Sequence, residues 1–166
     1  MLRLLAALPA VAVLGVSSAF ALPAGRAGAD AWPPLPTAGT FLKGEIQAMV
    51  HGRYGLAWTR LYPGHRAVVP EGIYVACEKQ LPFPASYRSA KVVRVRRALV
   101  SVAGSTRPVE GAAVTVLIAL KWYGRDPMRF THTFHLVPVD GRWTWLLSPQ
   151  RYRMYVASGC GFKPSV

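Results

Sequence analysis

Acidic side chains are scarce. The 166-residue chain has 7 Asp and Glu against 20 Lys and Arg, a formal net charge of +13. Of the acids, Glu45, Glu71, Glu78, Glu110, Asp126 and Asp140, with His51, His65, His132 and His135, are the candidates for acid–base or metal chemistry. Cysteine is scarcer still. Only Cys77 and Cys160 occur, and neither has a histidine as a near sequence neighbour, which speaks against a histidine-activated thiol. The chain has no G-x-S-x-G nucleophile elbow and no glycine-rich phosphate loop. After residue 21 no apolar run approaches the roughly 20 residues that a membrane-spanning helix needs, and there is no repeat at solenoid periods.

What is present begins with an exported protein's leader. Arg3 precedes an apolar run from Leu4 to Val16, and small residues follow, ending in Ala19-Phe20-Ala21. This is the layout of a signal peptide with an A-x-A type site, so cleavage is expected after Ala21. The run is too short and too Ala-rich to span a hydrocarbon core of about 30 Å. No cysteine stands near the site to take a lipid anchor. Residues 22–38 form a Pro/Ala/Gly-rich linker, residues 39–161 one domain, and residues 162–166 a tail. About 145 residues after cleavage is the size of one ordinary core.

An exported location changes how charge and cysteine are read. With Arg3 removed the formal charge is +12. Outside the cytoplasm it points away from nucleic acid and toward anionic lipid head groups or cell-wall polymers. The alternative is Arg placed on any exposed face, since the basic residues are spread along the chain rather than gathered in one tract. In an oxidising compartment a Cys77–Cys160 disulfide is the expected outcome, against two separate buried thiols.

Periodicity gives the elements. Thr37 or Thr40 can cap a helix with apolar positions Phe41, Ile46, Met49 and Val50 and a stop at Gly52. Tyr54, Trp58, Leu61 and Tyr62 make an aromatic stripe on a second helix ended by Pro63-Gly64. His65 to Pro84 reads as a short helix or irregular crossover. The period then changes to two, predicting strands over Lys91–Val102, Ala112–Tyr123, Met128–Val139 and Arg142–Leu147, with a type I′ turn at Asp140-Gly141. Val114, Val116, Ile118, Leu120 and Trp122 share one predicted buried face, as do Trp143, Trp145 and Leu147. The fold class is α+β: N-terminal helices packed on a curved, mainly antiparallel sheet of about four strands.

Several stretches carry a family resemblance: Ala57-Trp58-Thr59-Arg60-Leu61-Tyr62-Pro63, Val69-Pro70, Tyr74-Val75-Ala76-Cys77-Glu78 and the Asp140-Gly141-Arg142-Trp143-Thr144-Trp145 hairpin. With the order of elements, they resemble secreted bacterial members of the nuclear transport factor 2 superfamily over Thr40 to Cys160. The resemblance implies a cystatin-like cone with a pocket between helices and sheet. Elsewhere in the superfamily that pocket serves isomerases, hydratases or ligand binding, and the sheet serves dimerisation. Such a fold does not fix the function.

Ligand-pocket candidates are Trp58, Tyr62, His65, Tyr74, Glu78, His132, Trp143 and Trp145, whose aromatic members serve equally well as ordinary core. His65 and Arg66 would stand near the mouth of the implied cone. His132 shares a strand face with Phe130, Phe134 and Leu136, whereas His135 lies with Thr131 and Thr133, so H-x-x-H is not a metal pair on a regular strand. Asp140, Asp126 and Glu110 are explained by turns and loops, which argues against the carboxylate base an isomerase of this kind uses. The reading that follows is an exported, non-enzymatic binding domain for a small apolar ligand or envelope component, with no cofactor, no metal and no nucleic acid. Contact with an anionic surface and a homodimer through the sheet remain open. The alternative is a small pocket enzyme using His132, Glu78 or His65 as acid–base groups.

Overall fold

The computed structural model describes residues 32–80, 86–121, 126–158 and 160. The expected leader, most of the linker, Trp122 and the 162–166 tail lie outside the described residues. The fold is α+β: helices α1 (Thr37–Val50), α2 (Tyr54–Thr59), α3 (Pro63–Arg66) and α4 (Glu71–Gln80), then strands β1 (Ser86–Val100), β2 (Val109–Lys121), β3 (Met128–Val139) and β4 (Arg142–Trp145), then helix α5 (Pro149–Ser158). The four strands form one open sheet in the order β1-β2-β3-β4, every pair antiparallel.

Helix α1 starts where the prolines stop. Thr37 is its first residue and not its cap: the Thr37 hydroxyl donates to Pro34 O at 2.6 Å and accepts from Trp143 Nε1 at 2.9 Å, tying the helix start to β4. At the other end Gly52 adopts φ +68° and donates to Met49 O, the left-handed C-terminal geometry that glycine takes without strain. The buried stripe runs through Ala38, Leu42, Glu45 and Ala48. The stripe expected from sequence, Phe41, Ile46, Met49 and Val50, forms its flank, and Val50 is exposed. The end of the linker also packs rather than hanging free. Trp32 meets Trp143 edge-on at 5.7 Å, and Arg97 lies over the Trp32 ring.

Pro63 both ends one helical stretch and opens the next, sitting at the start of α3, where its missing N–H is not needed. The segment before it runs beside β4: Tyr62 N–H donates to Trp145 O at 2.9 Å and Trp145 N–H to Arg60 O at 3.1 Å. The crossover expected between His65 and Pro84 resolves into the helical turn α3 and the helix α4.

Strand β1 begins five residues before the expected Lys91 and has register shifts at Tyr87/Ser89 and Val92/Arg94. Such bulges re-aim side chains and increase local twist. Asp140 (φ +50°) and Gly141 (φ +71°) make the expected tight turn. On β2, Ala112, Val114, Val116, Ile118 and Leu120 are buried together against α1, Leu136 and Trp143, which forms the main core. Trp143 and Leu147 are buried as expected.

Helix α5 has no counterpart in the sequence-based expectation. It packs Tyr155 with Tyr74, Cys77 and Leu147 in a second core cluster. Cys77 on α4 and Cys160 beyond α5 form a disulfide across 83 positions, compatible with an oxidising, exported location.

Candidate functional site

A cavity of about 530 Å³ lies between α1, the inward face of β2 and β3, and the start of α5. Its walls are mostly apolar: Leu42, Ile46 and Met49 come from α1, Ile118 from β2, Phe134 and Leu136 from β3, and Trp145 from β4. Size and apolar lining match those of pockets that enclose small organic ligands. Two carboxylates, Glu45 and Glu78, interrupt that lining, each 2% exposed.

Glu45 reaches the wall because α1 turns its Ala38–Leu42–Glu45–Ala48 stripe inward. Oε2 accepts from Arg60 Nη1 at 3.4 Å, a long contact to a side chain that is itself partly exposed. Oε1 has no hydrogen-bond partner among the described residues. Burial penalises the charged carboxylate and pushes the group up to about 7, with the Arg60 guanidinium opposing that rise only in part.

Glu78 is held differently. It pairs with Arg151 Nη1 of α5, and Tyr155 Oη donates to the same Oε1 at 3.1 Å. Both partners come from the helix that sequence patterning missed. Glu78 therefore joins α4 to α5 and has little freedom to act on a ligand.

Of the eight pocket candidates from sequence, Glu78, His132 and Trp145 line the cavity. His132 is exposed rather than interior, its ring set edge-on to Phe134 at 4.6 Å. This corrects the expectation that strand parity takes it inside. The parity was right, since His132 pairs with Val116 and Phe134 with Val114, but this stretch of β3 lies at the cavity's margin. Trp145 donates through Nε1 to Ala57 O at 2.8 Å and is fixed.

The other five are elsewhere. His65, expected at the rim, is 1% exposed and away from the cavity. Nδ1 accepts from Leu147 N–H at 3.0 Å, so Nε2 carries the proton and donates to Ala103 O at 3.1 Å. Burial pushes its titration below the ordinary histidine range, although the Ala103 contact opposes this. It is a neutral crosslink between the β1–β2 loop and the end of the sheet. Trp58 donates to Val69 O, and Tyr62 packs with Val100, Val102 and Val137. Tyr74 is fully buried beside Tyr155 with its hydroxyl on Met49 Sδ, its ionisation pushed up mainly by burial. Trp143 borders a separate depression beside the β3–β4 turn.

Sequence reasoning missed Glu45 as a site residue. The signal was present in Ala38, Leu42 and Ala48, which lie at helical spacing around it, but the expected stripe ran through Phe41, Ile46, Met49 and Val50. Among the described residues, no three His, Cys, Asp or Glu side chains group closely enough to hold a metal ion. No helix among them is long and apolar enough to cross a membrane. No protein-family model matches the chain, and neither does any curated protein or any solved structure.

Proposed function

We propose that the chain is an exported binding domain, built as a nuclear transport factor 2-like cone, that takes a small, largely apolar ligand into the cavity beside α1. The observation that carries this reading is the open volume of about 530 Å³ where side chains could have closed the core. Trp145, Phe134 and Leu136 supply an apolar surface, and burial of a ligand there gives a driving force of roughly 25 cal/mol per Å². The basic outer face of the sheet is proposed to rest on an anionic envelope surface, with a homodimer through the same face as the competing arrangement.

Displacement of the neutral dye Nile red by 1-octanol, read alongside the thermal midpoint, tests the pocket. Octanol is expected to displace the dye and to raise Tm by a few degrees at saturation. Replacing Ile46 with Trp narrows the cavity and is expected to weaken both effects in a folded protein. Binding that is absent in the wild type, or unchanged in the Ile46→Trp variant, removes the reading.

A second reading, acid–base catalysis in the same pocket, has its own observation. A carboxyl pushed up to about 7 is partly charged at neutral pH and still basic enough to take a proton from carbon. Glu45, rather than the engaged Glu78 or the crosslinked His65, is the base. Isomerisation of a β,γ-unsaturated cyclic ketone, followed by absorbance of the conjugated product, is expected to slow at least 100-fold in Glu45→Gln. A wild-type rate no faster than that of the variant discards catalysis.

A further inference from the structure

Three polar or charged side chains are buried among the described residues, and two of them, Glu45 and Glu78, stand on the wall of one cavity. This occurs in a chain with 7 acidic against 20 basic residues, so two of its few carboxylates are gathered at one cavity of a basic molecule. Arg151, the only Lys or Arg in the lining, is taken up by Glu78. Glu45 is left with a long contact to Arg60 on Oε2 and a bare Oε1. A buried acceptor without a partner costs on the order of 1–3 kcal/mol, more when charged, and a ligand that supplies the donor recovers that cost.

Resting on the pocket reading above, we infer that the ligand is an apolar molecule bearing one protonated amine, whose ammonium donates to Oε1 of Glu45. An anionic head would meet the Glu45 carboxylate and offer its bare oxygen no donor. An alcohol would donate one hydrogen bond but leave the carboxylate charge uncompensated. An ammonium does both, and Tyr54, Phe134 and Trp145 in the lining are aromatic, the kind of side chain whose ring attracts cations. Charged and titratable groups around Glu45 and its cavity are Arg60 at the end of α2, Tyr54 on α2, Tyr74 and Glu78 on α4, Tyr87 on β1, His132 and His135 on β3, and Arg151 and Tyr155 on α5. Of the two cations only Arg60 touches Glu45. Because burial holds the Glu45 carboxyl at about 7, amine binding must drive off its proton in acid, so affinity rises with pH until the amine itself loses charge.

Calorimetric titration of the full mature chain with octylamine and with 1-octanol, both below micellar concentration, tests this at pH 5.5 and 8.5. Octylamine is expected to bind one to one at pH 8.5, at least tenfold tighter than octanol, and roughly 30-fold more weakly at pH 5.5, the fraction of Glu45 still charged there. Octanol affinity is expected to be nearly flat with pH. Glu45→Gln should keep octanol binding and lose both the amine preference and its pH dependence. If that variant does not fold, Arg60→Gln serves instead: removal of the competing cation should tighten octylamine at pH 8.5 and leave octanol unmoved. Octanol binding with no preference for octylamine, or a preference that survives in Glu45→Gln or is unmoved by Arg60→Gln, overturns the amine and spares the pocket. Failure of both probes on the wild type overturns the pocket reading and the amine together.

Discussion

At position 45 a carboxyl group stands where the helix would bury more cheaply with leucine. Its cost is visible in solution without any ligand. The folded-state value, about 7, lies above the ordinary carboxylate value of 4.5, so the folded chain binds more protons than the unfolded one between those limits. Stability from this group is therefore complete below pH 4.5 and is lost as pH rises through 7, a swing of roughly 3 kcal/mol. His65 works the other way, since burial lowers its titration and acid below its ordinary 6.5 favours the unfolded chain. Comparing variant with wild type at each pH cancels the His65 contribution. Urea unfolding at pH 5 and pH 8 is expected to show Glu45→Gln gaining about 2–3 kcal/mol on the wild type between the two. An equal difference at both pH values would mean that Glu45 is not held in that environment. The residue escaped the sequence reading because alanines, the weakest apolar markers, frame it.

Among the elements, the strands were the most legible. Period-two patterning located all four, and Asp140-Gly141 fixed the last hairpin, because half-buried strands write their exposure directly into alternate residues. Their ends drifted by two to five residues where bulges broke the alternation on β1 and where β2 began at Val109. Helix α5 was illegible by periodicity, as its apolar residues form no inward stripe: Val156 and Ala157 are exposed, and Tyr155 is the one buried position among its described side chains. Its start was written in another code. Ser148 Oγ accepts from Arg151 N–H at 3.2 Å, and Pro149 follows at the first helical position, an N-cap and proline pair. Three long-range ties hold the helix in place: Arg151 and Tyr155 on Glu78, and the disulfide just beyond it. In the chain-entropy account, closing a loop of this length stabilises the fold by roughly 4–5 kcal/mol. Tertiary contacts of that kind leave no local period to read. That is also why Glu78, visible as a lone acid beside Cys77, gave no hint of being half of an ion pair.

Across the sheet, most of the strand charge falls on one face, with Arg97, in register with Ala112 and Leu136, as an exception. The inward side of the sheet carries Val114, Val116 and Phe134, while the outward register places Lys91 beside Leu117 and Thr131, Arg94 beside Thr115 and Thr133, Arg96 beside Ala113 and His135, and Ser89 beside Ala119 and Arg129. Glu110 is the only carboxylate in the four strands. The His135 ring is pushed below its ordinary range by burial first and by Arg96 next, as expected of a crowded cationic surface. Such a face has two opposed proposals attached to it, and salt separates them. Contact with an anionic bilayer weakens as the screening length falls from about 10 Å at 0.1 M salt to about 3 Å at 1 M. A homodimer through the same face brings like charges together, so its association strengthens over the same range. Co-sedimentation with phosphatidylglycerol vesicles is expected to be high at 50 mM salt, lost at 1 M, and absent on uncharged vesicles. Each Lys or Arg near an anionic surface contributes about 1 kcal/mol, so the Arg94→Gln/Arg96→Gln pair should lower the partition coefficient by roughly 30-fold. Retention indifferent to salt and to both arginines would dismiss the anionic contact, and sedimentation equilibrium showing a dimer that tightens with salt would assign the face to a second copy of the chain.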